Sequence, residues 1–97
     1  MRANRIDANQ PEIVAALRRA GAEWIPTSGD PKIGFDGLIA FRGELHVAEI
    51  KDGSKPPSER QLTDCEAKRK EQLEYKNVAY NVLESVDDAL RLIGVIR

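Results

Sequence analysis

Asp36, Glu49 and Lys51 are the residues whose types and spacing suggest chemistry. Arg42-Gly43 divides the stretch from Phe35 to Lys51 into two apolar-rich runs, the pattern of two antiparallel strands joined by a tight two-residue turn. If Phe41 faces Glu44, paired positions sum to a constant, which sets Asp36 directly across from Glu49 on one face. Lys51 lies one strand repeat beyond Glu49 and projects from that same face. Opposed like charges are destabilising, and a buried carboxylate without a partner is costly, so two carboxylates and a lysine at this spot point to a divalent cation. Hard oxygen donors favour Mg²⁺ or Mn²⁺, whereas zinc would want histidine or thiolate. Such a cation polarises a phosphoryl oxygen and lowers the pKa of a bound water, while the lysine ammonium positions that water or stabilises developing charge. Phosphodiester hydrolysis is the reaction that fits. The competing explanation is an ordinary salt-bridge cluster at the solvated end of a hairpin, and a turn one residue longer would shift the register on which the triad depends.

The elements that must position these residues can be read from periodicity and punctuation. Ile13, Val14, Leu17 and Ala20 recur at helical spacing over Gln10–Ala20, with Gly21 placed to end the helix. Its start is open, since Asn9 with Glu12 and Asp7 with Gln10 are both capping pairs. Ala22–Pro26, with Trp24 and Ile25, reads as a short strand, and Thr27–Lys32 as a turn-rich loop. The hairpin strands are apolar on both faces, so they should be central, with a helix covering Leu38, Ala40, Leu45 and Val47. Gly53, Pro56 and Pro57 break the chain after Lys51. Thr63-Asp64-Cys65-Glu66 is a capping box opening a second, highly charged helix. Its buried stripe is thin, Cys65 and Leu73 with the Arg69 stem between them, so one of its faces should be wetted or held by a partner. Val78, Tyr80 and Val82 alternate as a fourth strand, and Ser85 caps a last helix carrying Val86, Ala89, Leu90 and Ile93 before Gly94. The order αβββαβα describes an α/β domain with a mixed central sheet flanked by helices.

Length and charge bound the possibilities. The 97 residues suit one domain, 1–97, with 41% hydrophobic and 32% charged residues. Fifteen Lys and Arg against sixteen Asp and Glu give a net charge of -1, which excludes histone-like binding and requires any attraction to nucleic acid to be local. Cys65 is the single cysteine, so an intramolecular disulfide and a structural zinc cage of several cysteines are excluded and a reducing compartment is expected. No apolar run approaches the roughly 20 residues needed to span a bilayer, and the first residues lack the apolar stretch of a signal peptide, so a soluble intracellular chain is expected.

Gly34-Phe35-Asp36-Gly37 followed by Glu49-Ile50-Lys51 resembles the PD-(D/E)XK nuclease signature, with Phe35 where proline is usual. More narrowly, the chain is similar to small phage-type nucleases of the VRR-NUC, Holliday-junction-resolvase-like branch. Asp7-Ala8-Asn9-Gln10 leading into Glu12, the Lys51-Asp52-Gly53 loop with Pro56-Pro57-Ser58, and Leu62-Thr63 followed by Glu66 extend the resemblance over roughly residues 5 to 90. It implies a restriction-endonuclease-like fold in which Asp36, Glu49 and the Ile50 carbonyl ligate Mg²⁺ or Mn²⁺, Lys51 is the catalytic lysine, and Glu12 joins from the first helix. It also implies DNA as substrate, branched or junction DNA included, and the cytoplasm of a bacterium or phage-infected host. The glutamine that often follows the Leu-Ser/Thr step in this branch is replaced by Glu66, which a plain capping box explains.

Lys55 and Arg60 flank the loop that begins where the Glu49 strand ends, and are the candidate phosphate contacts. His46, Cys65, Trp24 and Tyr80 read as strand, packing and core residues. A chain this short buries little surface, so a homodimer is expected if both strands of DNA are cut. The alternative is a non-catalytic DNA- or protein-binding module on the same kind of fold.

Overall fold

The computed structural model describes residues 7–97, and the following concerns those residues. They form an α/β fold of three helices and a four-stranded mixed sheet, with two short 3₁₀ turns. Helix α1 spans Gln10–Arg19, strand β1 Glu23–Pro26, β2 Gly37–Phe41, β3 Glu44–Ile50, helix α2 Asp64–Tyr75, β4 Tyr80–Leu83 and α3 Val86–Leu92. The 3₁₀ turns occupy Pro31–Ile33 and Pro57–Glu59. The sheet order is β1-β2-β3-β4, antiparallel except for β3 against β4, so the hairpin strands are its two interior strands.

The hairpin closes as its sequence requires. Arg42 and Gly43 both take positive φ, 49° and 82°, the turn whose twist matches that of the strands, and Phe41 pairs with Glu44. Ile39, Ala48 and Ile50 are fully buried on one face against Ile13 and Leu17 of α1, Ala89 of α3, Trp24 and Leu83. Gly37 is dictated by that packing: a Cβ there would lie 2.5 Å from the Trp24 ring.

Neither capping pair forms at the start of α1. Asn9 is the N-cap residue, yet its side-chain amide is spent elsewhere, donating to the carbonyls of Lys51 and Glu84 at 3.1 and 3.2 Å. The Asp7 carbonyl instead takes the Gln10 N–H at 2.9 Å. At α2 the expected box is present, Thr63 accepting from the Glu66 N–H and Glu66 reaching back to the Thr63 N–H.

Three expectations need correction. Val78 is outside β4 and exposed, because its N–H closes the end of α2 onto the Leu73 carbonyl after Asn77 turns into the left-handed region, so the chain joins the sheet only at Tyr80. Helix α2 has no buried residue at all; it is docked on the 31–33 turn by polar contacts in place of an apolar stripe. For that reason the second face of the sheet is only partly covered: Val47 is buried, but Leu45 remains 61% exposed.

Candidate active site

The site is built where β3 ends beside its parallel neighbour. Alternation along β3 turns Ile50 into the α1 and α3 core and Glu49 to the α2 side, where it is 2% exposed. Lys51 follows the last strand residue, anchored by its N–H to the Leu83 carbonyl at 3.0 Å. Its ammonium lies 2.9 Å from Glu66 Oε1 and 3.5 Å from Glu49 Oε2. The lysine therefore spans Glu49 and Glu66.

Asp36 reaches the site by a different geometry from simple strand pairing. The ladder stops at Gly37 opposite Ala48, and Asp36 sits one residue outside it. Its N–H donates to the Ala48 carbonyl at 3.0 Å, and its carboxylate Oδ2 accepts the Ile50 N–H at 2.7 Å. The side chain thus takes over a backbone position in the sheet and is fixed there beside Glu49.

Burial and mutual repulsion dominate the electrostatics. Glu49 is pushed up to about 9, first by burial and then by the charges of Asp36 and Glu66, with Lys51 opposing. Asp36 is also raised, mainly by burial, against the Ile50 N–H bond that favours its ionised form. Glu66 goes the other way: although burial works against its charge, the Thr63 N–H and the Lys51 ammonium hold it below the ordinary value. Lys51 is raised, burial being outweighed by its hydrogen bond to Glu66 and the charges of Glu66 and Glu49. Without an added cation, then, the Asp36–Glu49 pair keeps a proton that the unfolded chain would release.

The pH dependence follows in sign. Glu49 binds a proton more tightly folded than unfolded, so its contribution to stability is greatest below its ordinary value of 4.5 and is lost as pH rises toward about 9. Chemical denaturation of the metal-free protein across that window should show declining stability, and added Mg²⁺ or Mn²⁺ should flatten the decline.

The donor set suits a small hard cation. Glu49 Oε1 is buried with no hydrogen-bond partner, and Asp36 adds a second carboxylate beside it. Among the described residues no three His, Cys, Asp or Glu side chains group so as to hold an ion by themselves. Magnesium needs fewer, since it is commonly held by one or two carboxylates and keeps waters for a phosphate to replace.

The other sequence candidates are placed differently. Glu12 is exposed on the wall of an open cleft of about 450 Å³ that Asn9, Asp52, Ser54, Glu84 and Asp87 also line. Arg60 is engaged: its Nη1 pairs with Glu84 Oε1 at 2.9 Å, tying the 57–59 turn to the end of β4. Lys55 is exposed and follows Asp52, whose carboxylate holds Ser54. Ile50 is wholly buried, and its N–H serves Asp36.

Three residues enter the site that motif matching did not assign to it. Asp7 is raised chiefly by its own burial, feels Lys51, Lys55, Asp52 and Glu66, and bears in turn on Asp36. It is the carboxylate that the start of α1 contributes, five residues before Glu12. Asn9 ties α1 to the backbone of Lys51. Glu66 is at once helix cap and Lys51 partner through one oxygen, Oε1. The Asp7-x-Asn9 spacing was the available signal for the first two, masked by its equally good reading as a cap.

No family model, characterised protein or solved structure matches the chain. No helix among the described residues is long and apolar enough to cross a membrane.

Proposed function

We propose that the chain is a metal-dependent DNA endonuclease of the PD-(D/E)XK type, on a restriction-endonuclease-like variant of the α/β fold, hydrolysing phosphodiester bonds with Mg²⁺ or Mn²⁺. The observation that carries this is Glu49: a carboxylate 2% exposed, with one oxygen unpartnered, set beside a second carboxylate and 3.5 Å from a lysine. A buried acid pair is an unfavourable way to stabilise a fold and a good way to attract a cation.

In this reading Asp36, Glu49 and the Ile50 carbonyl hold the ion. The ion, when bound, polarises the scissile phosphoryl oxygen and acidifies a water. Ion binding requires the raised carboxyls of the acid pair to ionise, which sets a lower pH limit on activity. Lys51, kept charged by Glu66, orients the water or meets the developing negative charge. Asp7 adds negative potential at the same mouth, and Lys55 supplies a local phosphate contact that the near-zero net charge does not. Since one such site cuts one strand, a homodimer completes double cuts or junction resolution.

A second reading, a non-catalytic DNA- or protein-binding module, draws on the engagement of Lys51 by Glu66 and of Arg60 by Glu84. The two separate in a cleavage panel of linear, single-stranded, nicked and four-way DNA with Mg²⁺, Mn²⁺ or EDTA. The nuclease account expects cleavage that EDTA abolishes. Binding of these DNAs with no cleavage under any condition supports the module.

A further inference from the structure

Six successive carbonyls lead into Asp36, and each has a donor. The Pro31 carbonyl accepts from Cys65 Sγ at 3.3 Å, Lys32 from Arg69 Nη2 at 3.3 Å and Ile33 from Arg69 Nε at 2.7 Å. Gly34 accepts from the Tyr80 hydroxyl at 2.5 Å, Phe35 from Thr27 Oγ1 at 2.7 Å, and Asp36 itself from the Thr27 N–H at 2.9 Å. Irregular backbone usually leaves such groups to water, so capture of a whole run is a rigidifying arrangement. Its donors come from three separate parts of the chain: β4, helix α2, and Thr27 just after β1.

The geometry of the loop shows how closely it is held. Gly34 has φ 85°, and a Cβ there would lie 2.7 Å from Arg69 Cβ, so backbone and helix are in direct contact. Tyr80 is 6% exposed, and burial, reinforced by the nearby Glu49, Glu66 and Asp36, raises its hydroxyl well above the ordinary value, keeping the proton it donates. Asp36 lies just outside the ladder, tied to β3 through its own N–H to the Ala48 carbonyl, and the direction of its carboxylate depends also on where the 31–36 backbone before it is fixed.

We infer that Tyr80, Thr27 and Arg69 are positioning residues, whose hold on the carbonyls of residues 32–35 sets the Asp36 carboxylate on the Ile50 N–H and beside Glu49. This rests on the nuclease proposal only for its kinetic consequence, since placement of Asp36 is observable without catalysis. A misplaced ligand is costly: an error of about 1 Å can lower rate roughly 100-fold.

The test uses Tyr80→Phe and Thr27→Val, each of which removes one hydroxyl at nearly constant shape, in the full chain. The Ile50 amide, donor of the 2.7 Å bond, is the reporter by nuclear magnetic resonance. Its resonance should move upfield in both variants, and its hydrogen exchange should quicken by roughly tenfold more than that of Leu17 and Ile93 in the core. A merely structural role would speed all three amides alike and leave the Ile50 shift unmoved; that result overturns the inference. Should Tyr80→Phe fail to fold, Thr27→Val decides alone on the same criterion. In the cleavage assay kcat should fall roughly 100-fold with KM unchanged. A displaced Ile50 amide in a protein whose wild type never cleaves DNA upholds the positioning role and removes the nuclease assignment instead.

Discussion

The Lys51→Ala protein should lose metal-dependent DNA cleavage by roughly 100- to 1,000-fold, the scale seen when one preorganised electrostatic group is deleted from a site. The same protein should bind Mn²⁺ at least as well as the wild type, because removing a cation from beside Glu49 and Glu66 leaves more negative potential for the ion. The metal-free variant should be destabilised, by about 1–3 kcal/mol, since two partly desolvated carboxylates lose their counter-charge. Mn²⁺ should restore most of that loss. Metal titration, cleavage rate and denaturation read the three effects independently. A Lys51→Ala protein that cleaves at the wild-type rate would remove the lysine from the reaction.

Replacing Glu49 by glutamine should move stability and activity in opposite directions. Glutamine keeps the shape and has no charge to bury, so the metal-free protein should gain stability at pH 8 to 9, where the wild type has to ionise a carboxyl raised to about 9. The declining stability between pH 4.5 and 9 should flatten accordingly. Lys51 keeps its 2.9 Å bond to Glu66, so the loss of its longer contact to Glu49 costs little. Cation binding and cleavage should both fall to background. An ordinary structural ion pair predicts the reverse sign for stability: Glu49→Gln would then weaken the fold at neutral and alkaline pH. Denaturation at pH 6 and pH 9 distinguishes them.

These expectations depend on particular side chains, and the sequence revealed some of them more readily than others. The hairpin was legible because Arg42-Gly43 is a local instruction: two positive φ values fix the turn, the turn fixes the register, and the register brings Asp36 and Glu49 to the same end of the sheet. The α1 core positions Ile13 and Leu17 and the Ser85 and Thr63 caps were legible for the same reason, each depending on neighbours within one or two helical turns. What could not be read is tertiary. Asp36 stands just outside the ladder, after a loop whose Gly34 carbonyl is held by Tyr80, 46 residues away in sequence. Asn9 gives up capping for the Lys51 and Glu84 carbonyls, which only the assembled sheet brings within reach. Glu66 was recognised as a cap and is one, but its second bond to Lys51 depends on where α2 docks, and α2 carries no apolar stripe from which docking could be inferred. Arg60, a candidate phosphate contact in the sequence, is paired with Glu84 at the end of β4, a partner 24 residues away that local sequence does not reveal.

The near-neutral composition takes on a definite meaning in this setting. Asp7, Asp36, Glu49 and Glu66 gather around Lys51, so four of the sixteen acidic residues lie at the proposed site. Under the nuclease proposal a bound divalent ion offsets most of that negative charge, so DNA affinity should be metal-linked.

Titration calorimetry of Mn²⁺ into the wild type and the Glu49→Gln protein tests the central claim most directly, because it asks whether the buried acid pair is a cation site before any question of substrate arises. The account predicts a saturable heat in the wild type that is absent in Glu49→Gln. No heat in the wild type, or the same heat in both proteins, would contradict it.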